Sequence, residues 1–96
     1  MELSEVVRRA QAGDQEAMGE LYRQTSQRVY ALALRLTRSP ELAMDAVQDT
    51  YLSAMGSLNQ LREPEAVLRW LFQIAANRCR KLQKKEGRYV APPQDE

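Results

Sequence analysis

The segment RWLFQIAANRCRKLQKK, residues 69–85, carries the side chains best suited to chemistry. Wound as a helix at 100° per residue, it gathers Arg69, Trp70, Gln73, Asn77, Arg80, Lys81 and Lys84 on one side. Leu68, Leu71, Phe72, Ala75, Cys79 and Leu82 fall on the other. Cations in such a row neutralise phosphates and release counterions. Carboxamides bond base edges or the sugar-phosphate backbone. An aromatic ring at the margin can stack on an unpaired base, worth about 1–3 kcal/mol per base. This is chemistry for holding nucleic acid, above all strands that are separating. Each feature also has a plainer explanation. Basic helix faces are often only solvated, Trp70 can be a half-buried packing residue, and cations near a helix C-terminus complement its negative end. A membrane-surface helix is disfavoured, because the apolar side is needed for the core.

A second stretch, AMDAVQDTYLSAM at 43–55, is also two-faced. Ala43, Val47, Thr50, Tyr51 and Ala54 make an ordinary buried side, with Asp45, Gln48, Asp49 and Leu52 opposite at helical spacing. Two acids, an amide and a leucine face outward with no lysine or arginine to pair them. Such a face is either solvated or prepared for a basic partner.

Catalytic equipment is scarce. There is no histidine, and Cys79 is the single cysteine. Triads that need histidine, His-ligated metals and multi-thiolate zinc are thereby excluded. The glycines are scattered and form no phosphate-cradling loop. The expectation is a protein that is not an enzyme and carries no cofactor. One cysteine makes no internal disulfide, which suits the cytoplasm. No apolar run approaches the roughly 18 residues of a membrane span.

Charge is uneven although the net is +1. Residues 1–63 hold seven basic and nine acidic side chains, whereas residues 64–91 hold seven and two. One segment, not the whole chain, is built to meet an anion.

Four helices must position these residues. The first is expected from Ser4, as N-cap, to about Ala12, ended by Gly13. The second, capped by Asp14, spans 15–37 with Met18, Leu21, Tyr22, Val29, Leu32, Ala33 and Leu36 as its apolar stripe. Ser39-Pro40-Glu41 starts the third, which fades near Gly56. Pro64 opens the fourth, which lasts to about Lys85, before Gly87. No stretch alternates as a strand would. The fold class is therefore all-α, a compact bundle of about four helices in one domain over residues 1–88. Residues 89–96 are expected to be a disordered tail or the start of a linker. The expected core is Val29, Tyr30, Ala33, Leu36, Val47, Tyr51, Leu68, Leu71, Phe72, Ala75 and Leu82. A fully buried Leu or Phe contributes roughly 1.5–3 kcal/mol, most of the sum being offset by chain entropy.

Three pieces in order, AGDQEAMGELYRQ, RVYALALRLTRSPELAMDAVQDTYLSA and LRWLFQIAANRCRKLQKK, resemble region 2 of sigma-70-type RNA polymerase sigma factors. That region is the promoter −10-binding domain, and the similarity is greatest to the extracytoplasmic-function group. The resemblance covers residues 12–85. It implies that Asp45, Gln48, Asp49 and Leu52 dock on the clamp helices of the largest subunit of the RNA polymerase core. It implies that the loop at 57–66 holds a base flipped from the non-template strand. Asn59 and Gln60 would read that base, Leu58 or Leu61 would wall its pocket, and Arg62 would lie beside it. Arg69, Trp70, Gln73, Asn77, Arg80, Lys81 and Lys84 would follow the strand and its duplex edge. An anti-sigma factor masking the same surfaces is a further implied partner, and a bacterial, cytoplasmic monomer is expected. The chain departs from the pattern at Lys81, where many members carry an acid, and at Gln73, Ala76 and Gln83, where many carry arginine. It also stops where a linker to a helix-turn-helix domain would begin, as an excised domain or a shortened member would. The rival reading is a helical module that binds only protein and makes no DNA contact.

Overall fold

Four α-helices follow one another with short connections in a computed structural model that describes residues 1–85. They are α1 (Leu3–Gln11), α2 (Gln15–Thr37), α3 (Pro40–Ser57) and α4 (Val67–Lys85). Two 3₁₀ turns, Leu58–Gln60 and Pro64–Ala66, shape the connection from α3 to α4. Among the described residues there is no strand, and the protein is an all-α bundle. The expected domain limit at residue 88, Gly87 and the tail lie outside the described residues.

The junctions follow from their residues, with two corrections. Ser4 is not the cap of α1; the cap position lies two residues earlier, at Glu2, and makes no side-chain cap. Gly13 then takes φ +101°, a conformation costly for any residue with a Cβ. Its N–H reaches Ala10 O at 3.0 Å, and the next N–H reaches Arg9 O at 3.0 Å, closing the helix end. Asp14 Oδ1 accepts from Glu16 N at 3.0 Å and Ala17 N at 3.4 Å, starting α2. Ser39 Oγ accepts from Leu42 N at 3.2 Å, with Pro40 at the first position of α3. Pro64 does not open α4 itself. It opens the second 3₁₀ turn, which runs straight into α4.

The core is built at every fourth residue of α2 and α4. On α2 the buried residues are Ala17, Leu21, Thr25, Val29, Ala33 and Thr37. On α4 they are Val67, Leu71, Ala75 and Cys79. Val6, Val7 and the inner side of α3 complete it. Of the expected core, Tyr30, Leu68, Phe72 and Leu82 are only half-buried, and Leu36 is 41% exposed. The contact lines run through smaller residues, which let helices approach closely, and the larger apolar side chains close the margins. Three threonines enter the core because each satisfies its own hydroxyl. Thr25, Thr37 and Thr50 donate to the carbonyls of Leu21, Ala33 and Ala46 at 2.7, 2.9 and 2.6 Å. Since Thr25 spends its hydrogen on Leu21, it accepts from the Tyr51 hydroxyl, 2.5 Å away. Tyr22 meets the edge of Tyr51 with ring centroids 4.9 Å apart.

Candidate functional site

The outer side of α3 is acidic at its edge and apolar along its crest. Asp45 and Gln48 are exposed, Asp49 is half-buried, and Leu52 is 67% exposed. Met44 and Met55, absent from the sequence-based set, are 52% and 60% exposed. Met44, Gln48, Leu52 and Met55 follow one another at helical spacing and form a single ridge. Their spacing was visible in the sequence, but methionine alone reads as ordinary core. Among the described residues, no ion pair engages Glu41, Asp45 or Asp49. Exposed apolar side chains joined in one patch mark an interaction site more often than scattered ones do. A helix with basic and apolar residues would complement this ridge.

On α4, Arg69, Gln73, Asn77, Arg80, Lys81 and Lys84 are all exposed. Arg80 donates to Asn77 Oδ1 one turn away, which holds a cation and a carboxamide together. Trp70 is half-buried and packs against the core, leaving part of its ring at the rim of the basic face. Gln83, on the flank, donates to Leu36 O at 3.0 Å and ties the end of α4 to α2. Cys79 is enclosed by the bundle, and burial pushes its thiol pKa up, away from reactive thiolate.

The connection between α3 and α4 leads directly into this basic face. Asn59, Gln60 and Arg62 are exposed. Leu58 is buried at 5% exposure, and Leu61 is half-buried against the core. Leu58 and Asn59 line a cleft of about 260 Å³ with Met55, Gly56 and, across it, Gly13, Asp14, Gln15 and Met18. Gln60, Leu61 and Arg62 do not line it. The cleft falls below the roughly 300–1,000 Å³ typical of drug-sized ligands. Sequence reasoning missed the far wall, at the α1–α2 junction, because no periodic signal links residues 13–18 to residues 55–59. It also missed Gln11, whose side chain bonds the loop backbone.

Comparison with known proteins bears on these surfaces. Residues 21–89 match the family described as sigma-70 region 2. The chain belongs to the sigma-70 region 2 family. It is 35% identical over 85 residues to the ECF RNA polymerase sigma factor SigM of Mycobacterium tuberculosis, covering 88% of this chain and 43% of that protein. It is 38% identical over 80 residues to the RNA polymerase sigma factor NccH of Alcaligenes xylosoxydans xylosoxydans, covering 82% and 42%. It is 31% identical over 83 residues to the ECF RNA polymerase sigma-E factor of Escherichia coli, covering 86% and 43%. The chain therefore spans less than half the length of these relatives, and its similarity lies with extracytoplasmic-function sigma factors. No solved structure matches it. The sigma-70 region 2 match includes the α3 ridge, the loop and the basic side of α4. It begins at Leu21, so α1 and the start of α2 lie outside it. No described helix of this region 2 domain is long and apolar enough to cross a membrane.

Proposed function

We propose that this domain joins RNA polymerase to the promoter −10 element at transcription initiation, in the bacterial cytoplasm and without catalysis of its own. Asp45, Gln48, Asp49 and Leu52, extended by Met44 and Met55, dock on the clamp helices of the largest polymerase subunit. Leu58, Asn59, Gln60, Leu61 and Arg62 form the loop that takes a base from the non-template strand. Asn59 offers its carboxamide to the edge of that base at the mouth of the cleft. Arg69, Gln73, Asn77, Arg80, Lys81 and Lys84 carry the adjoining phosphates, with Trp70 at the rim. Strand opening then needs no nucleotide hydrolysis. Tighter binding to separated strands than to duplex shifts the melting equilibrium, and capturing one base offsets part of the unstacking cost.

One observation supports this reading: the exposed Asn59, Gln60 and Arg62 are joined by one short 3₁₀ turn to the helix that carries the exposed cations, the order that a strand passing from loop to helix requires. The test is binding of single-stranded −10-type DNA to the domain on polymerase core across a salt series. Arg80→Ala with Lys84→Ala should weaken binding to all sequences and reduce the slope of log affinity against log salt by about 1.4, for two lost phosphate contacts on a single strand. Asn59→Ala should instead lower the preference between sequences and leave the slope alone. A slope unchanged by the double substitution would remove α4 from the phosphates and favour a module that meets only protein.

A further inference from the structure

The loop that presents Asn59 does not hold itself. Its internal backbone bonds are few: Leu61 N donates to Leu58 O at 3.1 Å, and Ala66 N donates to Glu63 O at 2.8 Å. Leu58 and Leu61 also anchor it in the core, and its other hydrogen bonds come from α1. The Gln11 carboxamide nitrogen donates to Leu58 O at 3.0 Å and to Leu61 O at 2.9 Å. One NH₂ group has two hydrogens, and these two carbonyls use both. The carbonyls bracket Asn59 and Gln60, the two exposed amides of the loop. One turn earlier on α1, Arg8 pairs with Glu65 in the second 3₁₀ turn at 3.0 Å. That pair is exposed and weak, but it places both turns against the same side of α1. Val6 and Val7, fully buried, fix α1 to the bundle, so the carboxamide is presented from a rigid support.

We infer that Gln11 is a positioning residue. Through its two bonds α1 locks the loop in the one conformation that offers Asn59 and Gln60 to a strand, and so sets sequence discrimination without reading a base. This rests on the base-reading role proposed above for the loop. Donation is what matters, not bulk. Glutamate keeps the shape but supplies no N–H and turns a negative charge on two carbonyl oxygens. Methionine keeps length and neutrality but supplies no donor either.

The experiment compares the full 96-residue chain with Gln11→Glu and Gln11→Met. Each is bound to polymerase core and titrated with single-stranded DNA oligonucleotides varied one position at a time. Amide hydrogen exchange at Leu61 is measured alongside. The expected result is a roughly tenfold fall in the ratio between best and worst sequence in both variants. The salt slope should stay at the wild-type value, and Leu61 exchange should quicken. A packing role alone would spare the methionine variant. Wild-type discrimination in either variant overturns the inference while the loop-reading role stands. If the wild-type chain itself shows no discrimination, the loop-reading role falls. Leu61 exchange then decides about Gln11: faster exchange in both variants upholds its hold on the loop, and unchanged exchange overturns it.

Discussion

At the scale of single residues, polar groups decide where the interior ends. Tyr51 is the clearest case. Burial raises its hydroxyl pKa above the usual 10. Cys79 is raised in the same direction by the same cause. Both groups are neutral when protonated, and the folded state keeps their protons more tightly than the unfolded chain does. Their contribution is therefore fully present at neutral pH and is lost as pH rises through the ordinary thiol and phenol range toward the raised folded values. Thermal midpoints measured between pH 8 and pH 11, at about one-unit steps, should fall with rising pH. Tyr51→Phe should flatten the upper part of that fall, and an unchanged slope would show that the phenol does not report the fold. The same residues explain what sequence reading missed. Hydrophobicity ranks Leu36 above Thr37, but Thr37 points inward with its hydroxyl spent on Ala33, and Leu36 is left 41% exposed. A threonine that bonds its own helix behaves as an apolar side chain, and no scale of isolated residues records that.

At the scale of elements, the ends of α2 were legible because their signals are local, whereas the starts of α1 and α4 were not. The limits of α2 at 15–37 follow from Asp14 before it and from the serine-proline start of the next helix. Buried faces were less legible. The inward side of α4 is the line Val67, Leu71, Ala75 and Cys79, whereas Leu68, Phe72 and Leu82 sit at its margin. Periodicity gave the stripe but not its centre, which depends on how closely a neighbour approaches. Two ends of α2 make opposite predictions. Arg38, after its last turn, holds φ 56°, a left-handed conformation unfavourable for a side chain with a Cβ. Arg38→Gly should stabilise the fold by about 0.5–1 kcal/mol, less the added freedom of the unfolded chain. Asp14→Ala removes the cap at the other end and should cost about 1 kcal/mol. Chemical denaturation of the two variants checks both signs.

At the scale of the whole molecule, the two proposed functions fall on two different helices, and their separation is testable. The α3 ridge is exposed and contributes little to the core, so its loss should spare the fold. Asp45→Arg combined with Leu52→Asp should leave the thermal midpoint within a few degrees of wild type, as surface changes of about 0.5 kcal/mol or less would. Retention of polymerase core in a pull-down should drop by about tenfold or more. Full retention would show that the ridge is only solvated. How the helices are arranged around one another was not legible in the sequence, because it depends on a feature of α2. Its inward residues, from Ala17 to Thr37, recur every fourth position, whereas a helical turn takes about 3.6. Each step therefore advances about 40°, and over the helix the seam travels roughly half-way round. α2 works as a spindle on which its three neighbours sit at different bearings. Inserting or deleting one residue near its middle would swing one end against the other by about 100°. The inward line of α2 would then be broken in two, and α1, which packs on it, could not keep its place against α3 and α4 together.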